Sequence, residues 1–298
     1  MGIEYAIATL MGLIWRLLIE HGLQLLGGQK LMLSSLKQSN WKHYRFLKSS
    51  LRSGLVTSFS LFLRWILCRP ITSSQKSAMV FAPHQDDETL GCGGMIAFKR
   101  EQKVPVWVVF LADGQGSHRN HPRIKPKELI QIRKQEAVTA LTTLGVELSE
   151  IHFLDQPDGS LSNLSEDERQ HTLERLVQLL RTLKPQEVYV PYRKDGQSDH
   201  EAAYALAQAA IVESKLEVEL LQYPIWAMWY PWRFEIKSPE LANAYRLPLN
   251  QVWDKKRRAL EAYRSQYLPL DSESESSLPP NFLKLFLSSD EIFFKGRE

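Results

Sequence analysis

From residue 78 onward, short apolar runs alternate with longer stretches of helical periodicity. Strands buried on both faces read as continuous apolar runs, and strands are predicted at Ala78 to Ala82, Val104 to Ala112, Ile151 to Leu154, Glu187 to Pro191 and Leu216 to Tyr223. Helices are predicted between them, at Gly91 to Glu101, Lys127 to Leu144, Ser165 to Leu183 and His200 to Glu213. This alternation predicts an α/β fold, a Rossmann-like three-layer αβα arrangement with a mostly parallel sheet.

Two later segments are less regular. The segment from Tyr223 to Trp232 contains three tryptophans, a composition that suits either the core or the wall of a groove for a sugar or lipid. Residues 271 to 280 are rich in Ser, Glu and Pro and predict a surface loop. An aromatic tail from Phe282 to Phe294 follows this loop.

Charge divides the chain into two parts. The 298 residues carry a net charge of +3, but the stretch up to residue 76 has ten Lys/Arg against two Asp/Glu, a local +8, and the remainder has 27 against 32, a local −5. We therefore predict a basic, apolar N-terminal helical appendage over residues 1–76 and a globular domain over residues 77–298.

The two cysteines, Cys68 and Cys92, are too few for a disulfide scaffold or a thiolate zinc cluster and fit a reducing compartment.

The N-terminal part has apolar stretches that charges interrupt. Tyr5 to Ile19 contains Arg16, and Gly54 to Cys68 contains Arg64, so neither reaches the roughly 20 apolar residues of a spanning helix. No cationic region precedes the first stretch, as a secretory signal would require. The basic and aromatic side chains between the stretches suit an anionic membrane surface. We predict a cytoplasmic protein that attaches peripherally to the inner face of a membrane through residues 1–70; helices packed on the domain and a true span are the alternatives.

A charged run follows the first predicted strand directly. Residues 83 to 88 read Pro-His-Gln-Asp-Asp-Glu and come immediately after Ala82. One imidazole and three carboxyl groups at the end of a buried strand repel one another and lose hydration unless a cation or a substrate compensates them. A metal site is the simplest explanation of this run.

Polar residues also follow the other strands of the predicted sheet. They are Asp113 and Gly114 after the second strand, Asp155, Asp158 and Gly159 after the third, and Asp195, Asp199 and His200 after the fourth. In open α/β sheets, ligands bind beyond the carboxyl ends of the strands. We therefore expect these clusters to converge on one rim of the sheet.

The residue types in this rim suggest which groups hold the metal. His84 and Asp87 are one turn apart, and His200 can complete a set of two imidazoles and one carboxylate. Three protein ligands with an open position suit a catalytic Zn²⁺, and Fe²⁺ accepts the same set. Asp86 is left over beside the ligands and is placed to act as a general base. Glu88 is expected behind them, as a carboxylate that orients a ligand ring.

The same residues carry a family resemblance. The segment Ala82 to Gly94, APHQDDETLGCGG, closely resembles the signature of the LmbE-like, or PIG-L, de-N-acetylase family. Other segments are similar to family motifs and occur in the expected order: Arg133 to Ala137 with Leu144 to Val146, Phe153 to Gly159, Asp199-His200, and Lys256 to Gln266. The resemblance covers about residues 76 to 266. Family members are zinc hydrolases that remove acetyl groups from molecules containing N-acetylglucosamine.

The resemblance implies a role for each matching residue. It assigns zinc to His84, Asp87 and His200, the general base to Asp86, sugar contacts to Arg133 and Asp158, and a supporting position behind the ligands to Asp199. The implied reaction is attack of zinc-bound hydroxide on the amide carbonyl, followed by proton delivery to the departing amine. The implied substrate is a small molecule or glycolipid that bears N-acetylglucosamine. No nucleic-acid partner is expected, and the oligomeric state stays open.

The chain departs from the family pattern at one position. Many members have a histidine three residues before the distal zinc ligand, where this chain has Gln197, here expected to bind substrate. A glutamine amide donates hydrogen bonds but supplies no proton at neutral pH. Either Asp86 acts as both base and acid, or His118 or His121 supplies the proton. The departure also motivates a competing hypothesis, a non-catalytic relative that retains zinc and binds glycans or a membrane partner.

The glycines at positions 91, 93 and 94 raise another alternative, a dinucleotide-binding domain. Their spacing lacks the third glycine of the dinucleotide fingerprint. The acidic run before them would also repel a pyrophosphate. We therefore disfavour this alternative.

Overall fold

A computed structural model of the chain describes residues 54, 56–118, 121, 123–231, 243–271 and 276–296. The predicted apolar stretch from Tyr5 to Ile19 lies outside the described residues, as do most of the basic segment after it and Trp232.

Eight strands form one mixed sheet within the described residues, in the order β1-β7-β8-β6-β5-β2-β3-β4. The strands are β1 (Arg69–Pro70), β2 (Ala78–Ala82), β3 (Val106–Ala112), β4 (Ile151–Gln156), β5 (Glu187–Pro191), β6 (Glu219–Tyr223), β7 (Ala244–Pro248) and β8 (Asp290–Lys295). Strands β2 to β6 pair in parallel, whereas β8 is antiparallel to its neighbours β6 and β7. The chain passes from β2 to β3 and β4 on one side and then returns to β5 on the other. This reversal creates a switch point between β2 and β5, the position at which open α/β sheets bind ligands.

Helices connect the strands on both faces of the sheet. They are α1 (Asp87–Glu101), α2 (Pro126–Leu144), α3 (Glu166–Leu183), α4 (Ser198–Ser214), α5 (Trp226–Trp229), α6 (Trp253–Leu260) and α7 (Arg264–Tyr267). One core cluster packs side chains of α1, α2 and α6 against the sheet, and a second packs α3 and α4 against its other face. The predicted three-layer α/β architecture is confirmed.

Several element boundaries differ from the prediction by a few residues, and two of these differences have a local reason. Helix α1 begins at Asp87, four residues before the predicted Gly91, because two acidic side chains in its first turn favour the positive end of the helix dipole. Strand β3 begins at Val106, after Pro105, which has no N–H group to donate to a neighbouring strand.

Three strands, β1, β7 and β8, are not predicted by the sequence pattern. Strand β8 lies inside the predicted aromatic tail and fills the space between β6 and β7. Its sequence, Asp-Glu-Ile-Phe-Phe-Lys, begins with two acidic residues that are nevertheless buried. The pairing that buries them is made with distant parts of the chain, so the local pattern gives no sign of it.

The described end of the first quarter packs on the domain that follows it. Residues 56–62 are α-helical and continue into a π-helical turn, Leu63–Leu67. Val56, Phe59 and Leu63 are buried in the core, and β1 pairs with β7 in the sheet. Within the described residues, no helix combines the length and the apolar character needed to cross a bilayer. The boundary after residue 76 stays a prediction.

Candidate active site

The candidate site lies at the switch point between β2 and β5. The turn after β2 supplies His84, Asp86 and Asp87, and the segment after β5 supplies His200 in the first turn of α4. Asp86 adopts a φ of 138°, a conformation that side chains other than glycine rarely accept. This strained residue lets the chain pass from β2 into α1 so tightly that His84 and Asp87 face the same point.

Three predicted metal ligands come together there. Oδ2 of Asp87 lies 3.3 Å from Nδ1 of His84 and 3.2 Å from Nε2 of His200. All three ligand atoms fall within 4.8 Å of one another. The rings of the two histidines are 5.6 Å apart between centroids.

The chemistry and spacing of this set fit a zinc ion. Bonds of about 2.0–2.1 Å in tetrahedral geometry place two ligand atoms about 3.3 Å apart. The observed spacing agrees with this value and exceeds the roughly 2.7–2.9 Å of a charge-assisted hydrogen bond. Nε2 of His200 is buried and makes no hydrogen bond among the described residues. Two imidazoles and one carboxylate also match the ligand sets of catalytic zinc sites.

Each imidazole has a carboxylate behind it. Oδ2 of Asp195 lies 2.8 Å from Nδ1 of His200. Asp195 also accepts hydrogen bonds from the backbone N–H groups of Ile225, Trp226 and Ala227, at 2.9–3.0 Å, where α5 begins. The carboxylate is thus fixed, and it fixes the ring that contacts it, as supporting carboxylates do at zinc sites.

His84 is supported in the same way by Asp199. Oδ2 of Asp199 lies 3.3 Å from Nε2 of His84 and accepts a 2.7 Å hydrogen bond from Gly159 N–H. Its other oxygen accepts from Leu161 N–H at 3.1 Å. Asp158 also approaches Nε2, at 3.2 Å. Although His84, Asp158 and Asp199 satisfy a metal-ligand spacing too, the backbone bonds of Asp199 favour an orienting role over ligation.

The buried carboxylates set the protonation of the imidazoles. Burial by itself would lower the pKa of His84, but Asp158, Asp199 and Asp87 raise it well above its usual value. Burial opposes charge on His200 as well, yet Asp87 and Asp195 raise its pKa to about 9. Burial would raise the pKa of Asp87, and the imidazole of His200 nevertheless lowers it below its usual range.

Asp86 has a different environment from its neighbour Asp87. Burial raises the pKa of Asp86 to about 8, and the Arg133 guanidinium opposes this shift. Nη2 of Arg133 lies 3.6 Å from Oδ1 of Asp86 and donates a hydrogen bond to the carbonyl of Gln85. Asp86 therefore lies beside the ligand set with Arg133 as its closest cation, the position predicted for a base.

Glu88 supports the backbone rather than a ligand ring. One of its oxygens accepts a 3.1 Å hydrogen bond from the N–H of Asp86, the strained residue. The other accepts hydrogen bonds from the hydroxyls of Thr89 and Tyr263. Tyr263 lies just before α7, so a residue far along the sequence helps to hold the turn that carries Asp86.

Gln197 lines the cavity and also caps the first turn of α4. Its side-chain oxygen accepts a 2.9 Å hydrogen bond from the N–H of His200 and so caps the start of α4. The side-chain NH₂ group is the remaining donor that can reach a substrate oxygen.

Six of the predicted site residues line a cavity of about 150 Å³, whereas His200, Asp199 and Glu88 lie outside its wall. The predicted residues on its wall are His84, Asp86, Asp87, Arg133, Asp158 and Gln197. Residues beyond the predicted set include Trp226, Gln266, Leu278 and Phe282. Trp226 contacts Phe282, with ring centroids 4.9 Å apart, so one tryptophan of the segment Tyr223 to Trp232 belongs to a wall. Trp229 of the same segment is buried in the core.

The two histidines proposed as alternative proton donors lie in different settings. Nε2 of His121 is 3.0 Å from Oδ2 of Asp271, which ties its loop to the segment after α7. His118 lines a second cavity of about 330 Å³ that shares Asp158 with the first. Neither histidine lines the cavity that holds Asp86.

The chain resembles several known proteins. Residues 79–211 match the family model described as PIG-L, GlcNAc-PI de-N-acetylase. The chain is similar to 4-oxalmesaconate hydratase from Pseudomonas putida, with 28% identity over 207 residues that cover 66% of this chain and 77% of the hydratase. It is also similar to the probable N-acetyl-alpha-D-glucosaminyl L-malate deacetylase 2 of Bacillus subtilis, with 25% identity over 146 residues that cover 48% of this chain and 64% of that protein.

A solved structure shares the fold. The N,N'-diacetylchitobiose deacetylase from Pyrococcus horikoshii matches with a TM-score of 0.56 and 19% identity, covering 74% of this chain and 84% of that one. The family match begins in β2 and ends in α4, so it includes both the turn with His84 and the helix with His200. The resemblance to the PIG-L (LmbE-like) family that the sequence motifs carry is confirmed over residues 79–211.

Proposed function

We propose that the protein is a zinc-dependent deacetylase that removes the acetyl group from an N-acetylglucosamine-type conjugate, with His84, Asp87 and His200 as the metal ligands. The observation that carries this proposal is the convergence of two imidazole nitrogens on Asp87, at 3.2 and 3.3 Å, beside a cavity whose wall includes Asp86. A zinc ion at such a site supplies Lewis acidity toward a water molecule and a carbonyl oxygen.

The other residues of the cavity have separable roles in this proposal. Asp86 takes a proton as general base, because its carboxyl lies beside the ligand set on the cavity wall. Arg133 and Asp158 bind hydroxyl groups of the sugar, since a guanidinium donates and a carboxylate accepts hydrogen bonds. Gln197 donates from its NH₂ group to a substrate oxygen. Glu88 and Asp199 hold Asp86 and His84, respectively, in place.

The substrate class is supported by the relatives and by the hydrogen-bonding groups of the cavity. Two relatives are named as deacetylases of N-acetylated sugars. Three carboxyl groups, those of Asp86, Asp87 and Asp158, line the cavity with one guanidinium. Carboxylates accept and a guanidinium donates hydrogen bonds, so the lining can bind the hydroxyl and amide groups of an acetamido sugar.

Hydration of a carbon–carbon double bond is a second candidate. The relative with 28% identity is named 4-oxalmesaconate hydratase, and a positioned base that activates water can serve either reaction. A polycarboxylic acid would have to approach Asp158 and Asp86 closely. The family match, described as a de-N-acetylase, favours the deacetylase.

Acetate release by the zinc-loaded protein tests the proposal. N-acetylglucosamine conjugates with sugar, inositol and lipid aglycones are compared, beside a polycarboxylate alkene whose loss of ultraviolet absorbance reports hydration. Asp86→Asn should retain zinc and lower acetate release by about 100-fold or more. Asp155→Asn is the matched control. Asp155 lies near the end of β4, at the same edge of the sheet, but forms an ion pair with Lys134 at the surface.

The outcomes separate the competing hypotheses. Acetate release that collapses in Asp86→Asn alone establishes the deacetylase. Hydration without acetate release would favour the hydratase. Zinc binding with neither product would support the non-catalytic, glycan-binding relative that Gln197 suggests. The domain boundary after residue 76 and the cytoplasmic location stay predictions from the sequence.

A further inference from the structure

A patch of exposed apolar side chains lies on the helical segment 56–67. Leu61, Trp65 and Ile66, here called the outer patch, are 51%, 59% and 58% exposed. Leu61 lies at the end of the α-helical part and Trp65 and Ile66 in the π-helical turn that follows it, while Phe59 is buried in the core. Single exposed apolar residues are ordinary, but three large ones together indicate a contact surface.

A cavity of about 410 Å³ adjoins the outer patch. Apolar side chains on its wall are Val56, Leu61, Trp229 and Leu285, and cationic ones are Arg64 and Lys284. Leu61 belongs to both the patch and the cavity. The outer patch and the cavity together therefore place exposed apolar side chains next to two positively charged ones, Arg64 and Lys284.

The positive charge of this cavity is incompletely balanced. Arg64 is only 8% exposed, and its guanidinium donates to the hydroxyl of Ser60, to the carbonyl of Leu285 at 3.1 Å and to the hydroxyl of Ser288 at 2.8 Å. Its Nε is buried and has no hydrogen-bond partner among the described residues. The nearby carboxylate of Asp290 attracts Arg64 but is ion-paired with Arg246, at 3.2 Å.

Two guanidinium groups thus share one buried carboxylate. Arg246 also lies over the ring of Trp65, with its guanidinium carbon 4.5 Å from the ring centroid, so the charge and the outer patch are physically joined. A buried cation is costly unless an anion compensates it. A phosphate suits this position, since guanidinium groups bind phosphate well.

We propose that the outer patch and the Arg64 cavity form a docking surface for an anionic phospholipid bilayer. Leu61, Trp65 and Ile66 enter the boundary between head groups and acyl chains, where tryptophan is favoured. A lipid phosphate binds beside Arg64 and Lys284. Charge complementarity selects this occupant, because the sequence before the segment adds seven Lys/Arg against two Asp/Glu over residues 1–53.

Vesicle binding by the full-length protein tests the proposal. Vesicles of phosphatidylcholine with and without phosphatidylglycerol are sedimented with the protein, and binding to the anionic vesicles is expected to weaken with salt. The variant Leu61→Ser/Trp65→Ser/Ile66→Ser should bind at least roughly tenfold more weakly. Its control is Leu148→Ser/Val212→Ser, which removes apolar side chains that are 66% and 73% exposed elsewhere.

A second pair of variants tests the charge. Lys284→Glu should weaken binding to the anionic vesicles, whereas Lys215→Glu, the same change at the exposed end of α4 on the other face of the sheet, should not.

Unchanged binding in the triple variant would overturn the proposal and assign attachment to residues 1–53. No binding to anionic vesicles would also overturn it, and so would stabilisation by inorganic phosphate in the absence of vesicle binding. The assay does not depend on catalysis, so its result is independent of the proposed deacetylase activity.

Discussion

At the scale of single residues, the site gives three consecutive carboxyl groups three different environments. Asp87 faces two imidazoles, which lower its pKa. Asp86 is buried beside Arg133 and has a pKa of about 8, and Glu88, also buried, has a pKa of about 7 while accepting hydrogen bonds from hydroxyl and N–H groups. Environments that separate the pKa values of neighbouring acids allow one to stay charged as a ligand while another exchanges protons.

The hydroxyl of Tyr263 is expected to matter for turnover although it lies outside the cavity wall. Tyr263→Phe removes a hydrogen bond to Glu88. Glu88 in turn accepts a hydrogen bond from the N–H of Asp86, the residue with the strained backbone. Since hydrogen bonds to charged groups contribute about 1.5–3 kcal/mol, we expect kcat to fall about tenfold with KM and zinc content nearly unchanged. Steady-state kinetics with metal analysis measure this.

The matched control is Tyr267→Phe in the neighbouring helix. The Tyr267 hydroxyl donates to the carbonyl of Glu261 at 2.9 Å, away from the site. Equal losses of kcat in both variants, or loss of zinc from Tyr263→Phe, would show that Tyr263 does not act by positioning Asp86.

Zinc binding is expected to release protons and to weaken at low pH. The pKa of His84 is raised well above its usual value, and that of His200 is raised to about 9, so both rings are protonated at pH 7 when no metal is bound. A ligand imidazole must be neutral. Each ring therefore loses a proton on binding, and the zinc affinity falls as pH decreases below these pKa values.

Calorimetric titration in buffers of different ionisation enthalpy measures the proton release. At pH 7 we expect roughly two protons from the imidazoles for each zinc ion, and up to about one more from Asp86, whose pKa is about 8 without the metal. Release of fewer than one proton would mean that the imidazoles are already neutral and that the facing carboxylates do not raise their pKa values as described.

The sequence predicts which residues gather at the rim but not how each is supported. The charged run after β2 and the alternation of strands and helices along the chain are local signals. They lead to His84, Asp86, Asp87 and His200. Asp195 is also expected at this rim, because it follows β5 and precedes His200 by five residues, but its contact with the His200 ring is not predicted. Tyr263 and Phe282 reach the site only through tertiary packing, which no local pattern reports.

At the scale of elements, the glycines of α1 act as points of close approach. A Cβ on Gly91 would overlap the ring of Tyr223, whose hydroxyl donates a 2.7 Å hydrogen bond to the carbonyl of Phe81 in β2. A Cβ on Gly94 would overlap the side chain of Leu249. These glycines lie inside α1 and do not form a nucleotide-binding turn; they allow α1 to pack closely below the site.

Gly91→Ala is expected to destabilise the protein. The new methyl group must displace the ring of Tyr223, an overpacking cost of about 1–3 kcal/mol, which lowers the melting temperature by several degrees. Thermal unfolding followed by circular dichroism measures this. Gly54→Ala is the control, since no atom lies within 4 Å of a Cβ built there. If both variants melt like the native protein, the close contact with Tyr223 is absent.

At the scale of the whole molecule, the end of the chain completes the sheet and clamps the site helix. Glu291 in β8 accepts hydrogen bonds from the N–H groups of Gly94 and Met95 in α1, at 2.6 and 2.8 Å. It also forms a buried ion pair with Lys256 of α6, at 2.8 Å. Lys256 donates in addition to the carbonyl of Leu90. One pair of charges therefore connects β8, α6 and the helix that begins at Asp87.

Replacement of Lys256 should consequently unfold the molecule far more easily than replacement of its neighbour Lys255. Lys256→Met leaves Glu291 buried without its cation, which costs about 3–5 kcal/mol. Lys255 pairs with Glu101 at 2.8 Å on the surface, where such a pair contributes about 0–1 kcal/mol, so Lys255→Met is the matched control. Urea unfolding should show a large decrease in the free energy of unfolding for Lys256→Met alone. Equal stability of the two variants would mean that backbone N–H groups suffice to hold Glu291, and that the ion pair does not join the end of the chain to the site.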